Sequence, residues 1–228
     1  RRLAPEGAAR RLHSSSLMRA RGLLWLPLLL AGGCAAEKAN GRPWIRHLTL
    51  QGVKHVKARD LKSKIALEGK RWIPLSPTHY LDPFEVDLDK KRIVAYYAAH
   101  GYFLAQVTDA EVKPIKNGKA VDVRLVIDEG PPTKIDELTI HGLDPVGPKA
   151  HAIERRLELK LKKGAVFDHG TYLAQKNAVA DRLKRIGFAW ADVKGAVDVD
   201  RDTKEADLTL DVEPGPKATI GQVYVRGY

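Results

Sequence analysis

The sequence predicts an α+β protein built from two successive β-α-α-β-β units, each with a helix pair packed on one face of a small three-stranded mixed sheet. Three observations carry this. Landmark strings recur 84 to 90 residues apart in the same order. Inside each unit the apolar residues pass from helical spacing to strict alternation. A glycine closes the opening strand and the second helix of both units.

The recurrences are explicit. Leu48-Thr-Leu-Gln-Gly52 returns as Leu138-Thr-Ile-His-Gly142 and again as Val223-Tyr-Val-Arg-Gly227. Gly101-Tyr-Phe-Leu-Ala-Gln-Val107 returns as Gly187-Phe-Ala-Trp-Ala-Asp-Val193. Asp128-Glu-Gly-Pro-Pro132 returns as Val212-Glu-Pro-Gly-Pro216. Unit one is about five residues longer, and the excess is expected in the proline-marked stretch from Trp72 to Pro83.

Each unit opens on an alternating strand, Ile45, Leu48 and Leu50 before Gly52 in the first. A first helix follows: Ala58 to Leu67 in unit one, and Pro148 to Leu161 in unit two, where Ile153, Leu157 and Leu161 fall at i, i+4 and i+8. A second helix in unit one is capped by Asp87, carries Ile93, Tyr96 and Tyr97, and stops at Gly101. In unit two Val179, Leu183 and Ile186 precede Gly187 in the same way. Two strands close each unit. The last of them alternates Val121, Val123, Leu125, Ile127 in one and Ala206, Leu208, Leu210, Val212 in the other, the pattern of a sheet with one buried face. Asn117-Gly118 and Asp200 to Thr203 supply the hairpin turns.

Residues 1–34 read as a leader. The sole Met, Met18, begins a basic stretch, then nine mostly Leu residues run from Leu23 to Ala31, too few to span a bilayer. Leu30-Ala31-Gly32-Gly33-Cys34 resembles a bacterial lipobox with Ala31 where Leu is usual, which makes Cys34 a candidate lipidation site; plain cleavage near Gly33 is the alternative. Residues 35–42 form a tether, 43–130 and 131–217 the two units, and 218–228 the opening strand of a third, truncated unit. The short Pro131-Pro132 junction implies limited hinge motion.

The net charge of +11 divides into a surplus of five before residue 35 and six over the rest, where acids and bases are interspersed. A nucleic-acid surface needs clustered cations, so that class is set aside. One Cys excludes a disulfide framework. The eight His include no His-x-x-x-His pair, and there is no Gly-x-Ser-x-Gly elbow and no Walker loop. Asp87 with Asp89 and Asp200 with Asp202 read as cap and turn residues. Tyr96, Tyr97, Tyr102 and Trp190 read as core packing. No catalytic, cofactor or metal site is expected.

The unit order, Leu48 to Gly52, Asp89 through Tyr96-Tyr97 to Gly101-Tyr102 and Val107, and Phe167-Asp168-His169 to Gly187-Phe188 together resemble the POTRA (polypeptide-transport-associated) domains of the Omp85 superfamily, with phrasing nearest the BamA and TamA branch. The resemblance covers residues 43–217. It implies a Gram-negative envelope, the periplasmic face of the outer membrane, and partners that are unfolded outer-membrane proteins and envelope assembly subunits. A C-terminal barrel outside this sequence, a lipid on Cys34, or both would tie the chain to the membrane. A two-partner secretion transporter and a barrel-less periplasmic lipoprotein scaffold are the alternatives.

A three-stranded sheet has two edges at which an extended guest can add a strand by main-chain bonds. The expected guest edges are Ala105 to Val112, with Ala105, Val107, Asp109 and Val112, and Asp192 to Val199, with Asp192, Val193, Val197 and Val199. Charges at Asp109, Glu111, Lys194 and Asp198 would limit indiscriminate pairing.

Overall fold

A computed structural model describes residues 41–72, 76–219, 221, 222, 224, 226 and 227. The leader, Cys34 and most of the tether lie outside the described residues. Unit one comprises β1 (Trp44–Gln51), α1 (Ala58–Lys62), α2 (Pro83–Ala99), β2 (Gln106–Ile115) and β3 (Ala120–Asp128). Unit two comprises β4 (Lys134–His141), a 3-10 turn (Asp144–Lys149), α3 (Ala150–Lys160), α4 (His169–Arg185), β5 (Asp192–Asp200) and β6 (Glu205–Glu213). In 218–228 the described residues form no strand, and Ile220, Val223, Val225 and Tyr228 fall outside the described set.

Both sheets have one plan, β1-β3-β2 and β4-β6-β5. The closing strand sits in the middle, parallel to the opening strand and antiparallel to its hairpin partner. That position explains its strict alternation. Val121, Val123, Leu125 and Ile127 are buried beneath Leu61, Ile93 and Tyr97; Ala206, Leu208, Leu210 and Val212 are buried beneath Ile153, Leu157, Val179 and Leu183. Each fully buried Leu or Ile contributes roughly 1.5–3 kcal/mol.

The repeated glycines after the opening strands have a steric cause. Gly52 and Gly142 have φ of +88° and +78°, and a Cβ on either would lie 2.0 Å from the carbonyl oxygen of Ile127 or Val212. The chain must pass that close to leave the strand beside the central one, so no side chain fits.

Several expectations are corrected. The first helix of unit one ends at Lys62, not Leu67. The Asp89 carboxylate accepts bonds from the N–H groups of Ala66 and Leu67 at 2.7–3.0 Å, which draws those groups out of a helical ladder. The second helix is capped by Asp82, which accepts from Phe84 N, and not by Asp87; Pro83 opens the helix instead of marking a loop. The α3 helix starts at Ala150, two residues after Pro148, because a 3-10 turn precedes it.

The extra length of unit one is divided. Val107 pairs with Ile127 and Asp109 with Val126, leaving Thr108 as a bulge, whereas Val193–Val212 and Lys194–Asp211 follow without interruption. One of the five additional residues is therefore Thr108. The same registers make Ile127 equivalent to Val212, so Glu129 corresponds to Pro214, not to Glu213, and the third recurrence is shifted by one residue.

Glu129 is a hub. Its carboxylate accepts from Lys54 N at 2.7 Å, His55 N at 3.1 Å and the Tyr97 hydroxyl at 2.8 Å, and lies 2.6 Å from His55 Nδ1. Burial alone would raise its pKa, but these bonds outweigh burial and hold it down to about 2. Tyr97 is pushed up, by burial first and by its bond to Glu129 second.

The units meet at Thr133. It is buried, its N–H donates to Gly101 O at 2.7 Å, and its carbonyl accepts from Phe167 N at 3.0 Å. The rings of Phe103 and Phe167 lie 5.9 Å apart beside it.

Candidate functional site

The sheet order leaves β2 and β5 each paired on one side, β2 with β3 and β5 with β6. Among the described residues no backbone hydrogen bond reaches the outer side of either strand. The opposite edges are partly closed. Ile45 N donates to His79 O at 2.8 Å and Ile45 O accepts from Lys70 N at 3.0 Å; Ile135 N donates to Ala165 O at 2.9 Å and Ile135 O accepts from Gly164 N at 2.7 Å. The longest uncovered backbone in each unit is thus its second strand.

The expected site residues divide into three groups. Ala105 is not on the edge: it precedes β2, is buried in the core, and its N–H donates to Tyr102 O at 3.2 Å. The tight turn after Gly101 uses that residue, so the strand begins at Gln106. Val193 is on β5 but points into the core of unit two, and Val107, half-buried, packs on the core of unit one. Asp109, Val112 and Asp192 are exposed and Val199 is half-buried, while Val197, also half-buried, packs on the core of unit two. Asp109, Val112, Asp192 and Val199 are thus the expected residues that stand outside both cores.

Charge is arranged along both edges. On β2, Arg124 of β3 pairs with Glu111 at 2.8 Å and lies 3.9 Å from Asp109. On β5, Lys194 pairs with Glu213 at 2.6 Å, which holds the lysine above its usual range. Pro114, near the end of β2, has no N–H to offer and occupies the kind of edge position where proline is tolerated.

Two features of the edges were missed by periodicity. The bulge at Thr108 re-aims β2 and puts its hydroxyl 3.3 Å from Val126 O. On β5, Gly195 makes room for Tyr172, whose hydroxyl donates to Ala196 O and Thr209 O, each at 3.2 Å; a Cβ on Gly195 would lie 2.1 Å from that oxygen. A glycine inside a strand pattern was the available signal for the second. Among the described residues there is no cluster of three or more His, Cys, Asp or Glu able to hold a metal, and no helix long and apolar enough to cross a membrane.

Comparison with known proteins places this architecture. Residues 43–130 and 133–215 match the POTRA family model, described as surface antigen variable number repeat. The outer membrane protein assembly factor BamA of Neisseria meningitidis is 21% identical over 184 residues, which span 80% of this chain and 23% of that protein. The chain therefore corresponds to about a quarter of that relative's length. Among solved structures, the POTRA3-5 fragment of Haemophilus influenzae BamA is 23% identical, with 77% of this chain and 68% of that one covered at a TM-score of 0.46. The N-terminal domain of Omp85 from the cyanobacterium Thermosynechococcus elongatus is 15% identical over 76% of this chain and 63% of that one, at a TM-score of 0.41.

Proposed function

Because the chain belongs to the POTRA family, matched over both of its units, we propose that it is the periplasmic POTRA region of an Omp85-type outer-membrane protein and that it holds unfolded β-barrel clients and assembly subunits on the edges of β2 and β5. The mode is β-augmentation: the guest's backbone takes up the unpaired N–H and C=O groups of the edge, so affinity is largely independent of guest sequence. The region works as a scaffold and performs no covalent chemistry. The single observation that supports this reading is that β2 and β5 hold the same place in two units and are open along their length among the described residues.

The test is amide exchange. The chain is mixed with an outer-membrane β-barrel protein diluted from urea, and exchange is followed by peptide mass. Protection is expected over Gln106–Ile115 and Asp192–Asp200. Protection confined to α2 and α4, or none on either strand, would overturn the mode. Val112→Pro and Val199→Pro, whose N–H groups face away from the central strands by register, should weaken client binding with thermal unfolding checked in parallel. Val193→Pro is a poor probe, since it also removes a core side chain.

A further inference from the structure

Each unit carries a groove on the outer side of its opening strand, and the two grooves have opposite charge. In unit one the groove lies between β1, α1 and the loop after α1, with a volume of about 780 Å³. Arg59, Lys62, Lys70 and Arg71 line it and are exposed; Leu48 and Ile65 lie half-buried between them. Glu68 is the acid among the lining residues, and His79 Nε2 stands 3.4 Å from its carboxylate. The matching groove of unit two, about 510 Å³, is lined by Asp136, Glu137 and Glu158 with Lys163, which pairs with Asp136 at 2.7 Å. The equivalence is set by register, since Leu48 pairs with Val123 and Leu138 with Leu208.

The cations of unit one are available. Among the described residues Arg59, Lys62 and Arg71 make no ion pair, while Lys70 lies over the Trp44 ring at 5.4 Å. Arg46, also in the lining, is committed to Asp122 across the sheet. The strand edge below them is open only in part. Gly69 packs so closely on Arg46 to Leu48 that a Cβ would lie 2.9 Å from Leu48 N. From Thr49 to Gln51 the outer edge of β1 makes no backbone hydrogen bond among the described residues.

We infer that this groove binds an acidic peptide segment in extended form, its backbone along Thr49 to Gln51 and its carboxylates between Arg59, Lys62 and Arg71. Guanidinium groups bind carboxylates through two parallel charge-assisted hydrogen bonds. A concave wall of one sign concentrates the opposite charge before contact. The half-buried Leu48 and Ile65 give the guest's alternate side chains an apolar floor. Asp136, Glu137 and Glu158 repel the same guest from unit two, so the pair of grooves fixes which unit an acidic segment meets. The site lies on the edge opposite β2, and the inference stands independently of the β2 and β5 reading.

The experiment titrates the full chain with a fluorescent peptide of about ten alternating Glu and Val residues, and with its Lys–Val counterpart, at low and high salt. The Glu–Val peptide should bind and the Lys–Val peptide should not, with affinity falling as salt rises. Arg59→Glu with Lys62→Glu, both on exposed positions of α1, should weaken Glu–Val binding about tenfold or more. Glu158→Lys in unit two should not weaken it. Amide exchange should slow at Thr49 to Gln51 and not on β2. Equal binding of the two peptides, unchanged affinity in the double variant, or protection on β2 in place of β1 would overturn the inference. Binding of phosphatidylglycerol vesicles, lost in the double variant, with no binding of the Glu–Val peptide would also overturn it and assign the groove to lipid phosphate.

Discussion

Unit one and unit two share a sheet plan but close the end of it differently. In unit one, Tyr97 on α2 reaches down to Glu129 just past β3, and the carboxylate also gathers the backbone of Lys54 and His55. In unit two the register puts Leu183 where Tyr97 stands and Pro214 where Glu129 stands, and both are buried. One unit is locked by a buried charge and the other is plugged by apolar groups. The same fold accepts either because the charge arrives with all its donors: among the described residues no buried side-chain polar atom is left without a partner. The difference lies in what each unit can tolerate, and it can be tested from both sides.

The largest effect is expected from Glu129→Ala. It strips the acceptor from two backbone N–H groups and a buried hydroxyl, which should cost unit one about 3 kcal/mol. Amide exchange read separately over β3 and β6 should show the loss concentrated in unit one. A uniform loss would mean that the clasp at Thr133 makes the two units one cooperative body.

Acid should separate the units next. Glu129 titrates near 4.5 in an unfolded chain and at about 2 when folded. Between those values the unfolded chain takes up a proton that the folded one refuses. The contribution is therefore complete above about 4.5, shrinks as pH falls, and is gone below about 2, amounting to up to about 3 kcal/mol. Asp122, held below its usual range by Arg46, adds to unit one in the same direction. In unit two Asp200 is also held low, by the backbone N–H groups of Asp202 and Thr203, but it is solvent-exposed at the end of β5. Exchange rates measured from pH 6 to pH 2, corrected for intrinsic chemistry, should show β3 losing protection before β6. In Glu129→Gln that lead should shrink to what Asp122 leaves.

The units also differ in how much of their build can be read from the chain. Strand and helix periodicity, together with the glycine landmarks, located the five main elements in each, because those patterns are local. The length of α1 was not legible: Ala58 to Leu67 has a helical apolar stripe, and only the distant Asp89, by taking the N–H groups of Ala66 and Leu67, ends the helix early. Pro83 sits in a proline-marked stretch that suggests a loop, because proline breaks helix interiors, yet at the first helical position it is favoured. The shifted recurrence at Glu129 came from matching Glu to Glu, where the ladder matches Glu to Pro. On the candidate edges, the exposure of Asp192 follows from alternation with the buried Val193, whereas Asp109 shares the parity of Val107 and reaches solvent only through the bulge at Thr108. Ala105 was not legible either, since its burial depends on the turn that Gly101 starts.

Gly195 offers a smaller test in unit two. Its counterpart by register is Ala110, which pairs with Leu125 as Gly195 pairs with Leu210, and which already carries a Cβ. Gly195→Ala should cost about 2 kcal/mol, because the new methyl displaces the buried Tyr172 and breaks its bonds to Ala196 and Thr209. Ala110→Gly should cost only about 0.5–1 kcal/mol, the backbone-entropy effect of glycine. Equal penalties, read from urea midpoints, would show that Tyr172 does not depend on the gap.

The smallest effect should be the one the units share. Asp82 and Asp168 open α2 and α4, and each is in extended backbone with its carboxylate on a first-turn N–H, Phe84 N at 3.0 Å and Thr171 N at 2.7 Å. Asp→Ala at either should cost about 1 kcal/mol, combining the lost cap bond with the lost charge at the positive end of the helix dipole. Arg42 pairs with Asp82 at 2.9 Å, but that pair is exposed and adds little. Matching losses, each seen as faster exchange in the first turn of its own helix, would show that the difference between the units begins beyond the caps, at Tyr97 and Leu183. A markedly larger loss for Asp82→Ala would move that difference to the start of α2, where the chain from the long loop of unit one enters the helix.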